Sequence, residues 1–398
     1  MQTSEKNHGS LRAIDRRELL GGALIAGGAL AASTLVSPLA RAFPAPLEDR
    51  KTKRIVVIAF AGGVRTRETF GSADNVPNLK KLAARGVLYP KMRSSNLGHY
   101  GAALSMFTGI AEQRGIRENQ RGDSPTLFEY LRKDLNFPGS DVWIATSGGA
   151  QQTNYSYGLH AQYGARYGAN TLDSDGLFNA EFRSLVAQWG RPKPKSARED
   201  ELLARLRGAL ESPRLPDAQV KLNSPESAAR VEKYILEELT RGTAEISGPN
   251  AADAKALRVA RNLLAVFKPR VVGVVLQQAD VAHASFNGYA EIVRRNDESI
   301  GELVAAIDAD PELARSTAIF IAPEFGRDRD LNSRRGLDHG DGSDDLNFVT
   351  GLAVGPDFRR GVVVDDEVAV IDVCPTVCSI FGTDAKLARG RKLPKLFA

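Results

Sequence analysis

Three segments of this 398-residue chain carry side chains whose types and spacing suit chemistry. In Gln277-Gln-Ala-Asp-Val-Ala-His283, Asp280 and His283 stand three apart in a loop that leads into a helix. A carboxylate and an imidazole at that spacing can ligate one ion, and the pairing suits zinc or a similar divalent metal. Taken alone, the same residues read equally well as a capping aspartate and a surface histidine. In Pro323-Glu-Phe-Gly-Arg327, Glu324 is a carboxylate directly at a strand end. Shortly after it comes Gly336-Leu-Asp-His-Gly-Asp-Gly-Ser-Asp-Asp345, with His339 beside Asp338 between glycines. The chain holds only five histidines, so two of them in such settings favour a shared site. The third segment, Ser94-Ser-Asn-Leu-Gly-His-Tyr100, offers hydroxyls, an amide and an imidazole, His99.

These residues need a scaffold, and the pattern around them supplies one. Arg54-Ile-Val-Val-Ile-Ala-Phe60 is a continuous β-branched and aromatic run, the composition of a strand buried on both faces of a parallel sheet. Further strands are expected at 141–146, 270–276, 316–322 and 348–354. Helices are expected at 77–86, where a proline opens and a glycine closes, at 124–131 with Ser124 as N-cap, and at 289–307. Alternating strand and helix predict an α/β fold with a mostly parallel central sheet covered by helices on both faces. In such sheets ligands sit outside the carboxyl ends of the strands, where the first two segments fall. From 151 to 269 the rhythm changes to loops and charged helices, at 198–210 and 224–239, and this stretch reads as a helical insertion beside the sheet. Cys374 and Cys378, four apart in an apolar helix, read as core thiols rather than a disulfide.

In this order the residues resemble the alkaline phosphatase superfamily, which includes sulfatases and phosphodiesterases. The turn Ala61–Arg65 after the first strand, the hydroxyl-rich loop closing on Thr108-Gly109, the Asp280-x-x-His283 pair, Glu324 and the later His339-Gly carry the resemblance, as does the closing helix 371–382. Glu-Phe-Gly-Arg followed by Asp-His-Gly is most similar to a twin-arginine-exported branch of that superfamily. The resemblance covers both ends of the mature chain but not the insertion. It implies that Asp280, His283 and His339 bind one metal and that Glu324 begins a second site. Ser95 becomes the implied nucleophile, ahead of Ser94, with His99 or Asn96 steadying the transferred group. Zinc is the first expectation for the ion, with calcium, magnesium or manganese as alternatives. Two departures stand out. Ala61, Gly62 and Gly63 occupy the turn where the superfamily has a metal-binding aspartate, and Phe325 stands where it has a histidine. Asp338, Asp341 and Asp344 could offer replacement oxygens, which would favour a hard cation. An ion shared by His283 and His339 requires those side chains within about 8 Å of each other.

Composition narrows the setting. The chain is 42% hydrophobic and 25% charged, ordinary for a globular protein, with a formal charge of +5. Residues 1–42 contribute +2 of this, through Lys6, Arg12, Arg16, Arg17 and Arg41 against Glu5, Asp15 and Glu18. The short basic run 191–195 reads as a solvated loop, and no nucleic-acid partner is expected. Arg16-Arg17 precedes a Gly/Ala-rich apolar run that ends at Ala40-Arg41-Ala42, the layout of a twin-arginine signal peptide over 1–42. A periplasmic or secreted domain over 43–398, delivered by the twin-arginine translocase and without a stable membrane span after cleavage, is the expectation. Two functions remain open: an exported metal-dependent hydrolase of phosphate or sulfate esters acting on a small-molecule or envelope substrate, and a non-catalytic binding or assembly protein of the cell envelope.

Overall fold

A computed structural model describes residues 49–112, 120–148, 152–174, 233–234, 243 and 246–398. All of them belong to one compact unit, 43–398. The expected signal peptide and the expected helix 198–210 lie outside the described residues, as does nearly all of 224–239.

The apolar runs form one nine-stranded sheet in the spatial order β4-β3-β5-β1-β6-β7-β2-β8, with β9 also pairing β2. β1 (Arg54–Phe60) is central and runs parallel to β5 (Val271–Leu276) and β6 (Thr317–Pro323). β3 (Val142–Thr146) continues the parallel half on β5. On the other side β7 (Phe348–Val354) is antiparallel to both β6 and β2 (Val87–Arg93), so β2 runs in the same direction as β6. The short β8 (Val362–Val363) and β9 (Val368–Ala369) pair with β2 in parallel. The sheet is thus mixed and mostly parallel, as in alkaline-phosphatase-like α/β folds.

Ile55 to Phe60 are at most 3% exposed, because both faces of β1 are covered. Val56, Ile58 and Phe60 face one core shared with α1 (Pro77–Ala83), α4 (Ala251–Phe267) and α5 (Phe286–Ala309). The short α6 (Pro311–Ser316) and α7 (Asp344–Asn347) lead directly into β6 and β7. Ile55, Val57 and Ala59 face a second core with α2 (His99–Thr108), α3 (Leu127–Asp134) and α8 (Val373–Phe381). Fully burying each such aliphatic side chain stabilises by about 1.5–3 kcal/mol. Cys374 and Cys378 are free thiols in the second core, and burial pushes the Cys374 thiol up.

Several elements differ from the sequence expectation for definable reasons. β2 contains Pro90, which weighs against a strand; the ladder to β7 shifts register between Tyr89 and Met92 and so accommodates it. α3 begins at Leu127 behind Thr126, not behind Ser124. The cause is Glu129, whose buried carboxylate accepts the Thr126 N–H (2.7 Å) and also the N–H groups of Gly158 and Gly164. α5 starts three residues early because Ser285 caps it through Gly288 N. Within 151–269, β4 (Asn170–Leu172) adds a parallel strand beside β3, and α4 covers β3 and β5, so both belong to the main layers. No described helix is long and apolar enough to cross a membrane.

Candidate functional site

Because β1, β5, β6 and β2 point the same way, the turns that follow them share one edge of the sheet. The β5 turn becomes a 3-10 helix, Gln278–His283, that carries Asp280 and His283. Its start is pinned from below by Asp253 of α4, a fully buried carboxylate that accepts Gln277 N (2.9 Å) and Gln278 N (3.2 Å) and also bonds Ser147 and Asn296. Burial pushes the Asp253 carboxyl up, against these four donors. The loop after β6 returns to the same place: Leu337 N donates to Ala282 O (2.7 Å), and a Cβ on Gly336 would lie 2.3 Å from that oxygen. Asp338 and His339 are thereby laid against His283.

His99, His283 and His339 converge, with one ligand nitrogen of each inside a span of 4.8 Å. The His283 and His339 ring centres are 4.9 Å apart, well inside the distance that sharing an ion requires. Carboxylates take the outer nitrogens of two of the rings. Asp338 Oδ1 lies 2.6 Å from His283 Nδ1, and Glu324 Oε1 lies 2.5 Å from His99 Nδ1. This is the outer-shell arrangement that orients metal-binding imidazoles. His339 is held neutral, its pKa lowered to about 4 by burial and by the charges of His99 and Arg327. By donor chemistry and spacing, the three imidazoles are compatible with a metal site.

The charge balance of the cluster is equally specific. Burial works against a charged His99, but Glu324 and Asp280 outweigh it and raise its pKa to about 9. His99 Nε2 lies 2.8 Å from Asp280 Oδ1, so both ring nitrogens face carboxylates. Asp280 is held well below the usual carboxylate range: burial opposes this, and His99 and Arg327 overcome it. Arg327 Nη2 donates to Asp280 Oδ1 (2.6 Å), and Nη1 lies 3.1 Å from His283 Nε2. A guanidinium can only donate, so that nitrogen of His283 is the acceptor and its proton resides on Nδ1, towards Asp338.

The structure regroups the residues singled out from the sequence. His99, placed with the nucleophile, stands among the imidazoles instead, because it opens α2 at the shared edge. Glu324 is fully buried and contacts His99; its Oε2 has no partner. Asn96 turns to the backbone, donating to Glu112 O and accepting Gly98 N, so it shapes the loop that leads into α2. Ser94 bonds Asn347 O, whereas Ser95 Oγ is buried without a partner. Of the three replacement carboxylates, Asp338 serves His283, Asp341 accepts the N–H groups of Arg329 and Ser343, and Asp344 lies in the first turn of α7. Phe325, where a metal-binding histidine was expected, packs its ring 4.8 Å from His99 and 5.1 Å from His339, forming an apolar floor. Arg327 is the site residue that the sequence pattern does not single out; its signal is a strand-end turn without a carboxylate, together with an arginine three residues after Glu324.

Known proteins give the site a frame. No curated protein matches the sequence. Among solved structures, wild-type alkaline phosphatase PafA is 10% identical and superposes with a TM-score of 0.56, over 88% of this chain and 99% of that one. The phosphonate monoester hydrolase SpPMH from Silicibacter pomeroyi is 14% identical, with a TM-score of 0.45 over 86% of this chain and 76% of its own. The likeness to PafA shows an alkaline-phosphatase-like fold. Residues 27–386 match the family described as "Protein of unknown function (DUF1501)", and the chain belongs to that family.

Proposed function

We propose that this protein is an exported hydrolase of phosphate or sulfate esters that works with a single divalent ion, zinc in the first place, on His99, His283 and His339. The observation that carries this reading is the convergence of three imidazoles, two of them oriented by carboxylates on their outer nitrogens. A divalent ion there would supply Lewis-acid charge to the ester oxygens and acidify a nearby hydroxyl. Ser95 is the proposed nucleophile, because its buried Oγ has no partner. In the reaction its oxygen would bond to phosphorus or sulfur as the ester oxygen departs with a proton, and water would later release the transferred group. Glu324 and Asp338 hold the imidazoles; Phe325 keeps water from beneath them.

A second reading is favoured by one observation: the Arg327 guanidinium already occupies Asp280 and the inner nitrogen of His283. On that reading the fold serves as a binding or assembly protein of the cell envelope. The two separate when the mature protein is assayed with para-nitrophenyl phosphate, its diester and the sulfate, with zinc, manganese, magnesium or calcium added and bound metal determined by elemental analysis. The hydrolase is expected to lose at least about 100-fold in kcat on Ser95→Ala. No bound metal and no turnover above that variant would leave the second reading standing. Residues 1–42 are proposed as a cleaved twin-arginine signal ahead of a single domain over 43–398, belonging to a twin-arginine-exported branch. Changing Arg16 and Arg17 to lysine should retain the uncleaved precursor in the cytoplasm, seen by cell fractionation.

A further inference from the structure

Arg327 is fully buried, an expensive place for a charge that must be matched in full. Each of its five N–H groups has an acceptor. Nε reaches Gly63 O (3.3 Å), Nη1 reaches His283 Nε2 (3.1 Å) and Leu337 O (3.3 Å), and Nη2 reaches Gly62 O and Asp280 Oδ1 (2.6 Å). The guanidinium therefore bridges the turn after β1 and the turn after β5. That is the space between Asp280 and the position where the superfamily resemblance calls for a metal-binding aspartate.

The glycines of the β1 turn are built around this arrangement. A Cβ on Gly63 would lie 2.8 Å from Arg327 Nε, and Gly63 has φ +64, which side chains rarely adopt. A Cβ on Gly62 would lie 2.6 Å from Asp280 N. No side chain fits at Gly63 while the arginine is in place, and none fits at Gly62 against the backbone of Gln277 and Asp280. Binding an ion on the three imidazoles asks Nη1 to release His283 alone; the other four bonds involve no imidazole.

We propose that the Arg327 guanidinium is a built-in cation filling the space between Asp280 and the β1 turn, so that the site takes up no more than one exchangeable ion and keeps its structure when that ion is absent. This rests on the single-ion reading above only for the first ion. The test uses the full mature protein, dialysed against cobalt(II) or zinc and analysed for bound metal, with melting followed before and after chelation. The expected result is at most one ion per chain, and a Tm that chelation moves by less than about 3 °C. Two ions per chain, or a collapse of Tm on chelation, overturns the proposal. No bound ion with an unchanged Tm retires the single-ion hydrolase but supports the role of Arg327. In parallel, Arg327→Gln should lower Tm by about 5–10 °C, and adding Asp280→Asn should recover part of that loss because the unpaired carboxylate is gone. A loss that the second change does not relieve counts against the proposal. Should Arg327→Gln fail to fold, the wild-type stoichiometry and chelation still decide.

Discussion

The two edges of the sheet handle charge in opposite ways. At the carboxyl edge Arg327, Glu324 and Asp253 are all fully buried, each tied to fixed partners. At the amino edge Arg54, Lys268 and Arg270 pair with Glu312, Asp310 and Asp141 at 2.5–3.2 Å, beside an open cleft of about 1000 Å³. Glu312 is half exposed there. None of the three converging histidines lines this cleft. Exposed pairs gain little from each other in water, whereas a buried charge must find every partner or be lost.

The contrast can be broken most severely at Asp253. Asp253→Ala strips a buried acceptor from four donors beneath the Gln278–His283 turn, and a loss of roughly 3–5 kcal/mol is expected by chemical denaturation. On the single-ion proposal, metal uptake should fall with it, because His283 loses its support. An effect below about 1 kcal/mol would mean that the carboxyl edge is no more demanding than the amino edge.

Glu112 sharpens the comparison at an intermediate scale. It is buried beside the Asn96 loop, its Oε1 has no partner, and burial raises its pKa to about 6. A carboxyl whose folded value is raised favours the protonated native state. It therefore costs stability above about pH 6, and that cost fades as pH falls towards the unfolded value. Glu112→Gln should accordingly stabilise by about 2 kcal/mol at pH 8 and by almost nothing near pH 4.5. Paired denaturation curves at the two values check the sign.

The smallest change belongs to the amino edge. Glu312→Gln breaks contacts to Arg54 and Lys268 yet should cost less than about 1 kcal/mol, and 1 M salt should erase most of that difference. A larger, salt-resistant loss would erase the distinction between the edges.

Much of the scaffold is legible in the chain itself. β1, β5, β6 and β7 are runs of β-branched residues long enough to be buried on both faces, and Asp280-x-x-His283 sits directly after one of them. β2 is hidden by Pro90, because a proline weighs against a strand unless the partner ladder shifts to admit it. His99 is legible as a chemical residue, but its neighbours are not. Its place depends on the direction of β2, which follows from the pairing of β7 and not from any local pattern.

Composition and spacing are local properties, so the periodic apolar runs and the residue types at the strand ends can be read along the chain without any fold. That three imidazoles meet, that Asp338 faces His283, and that Arg327 bridges two turns, one of them reached through Gly63, 264 residues away along the chain, follows from the folded sheet alone. Those pairings bring together groups from distant segments, and their energies come from desolvation and charge matching, which exist only once the sheet has folded.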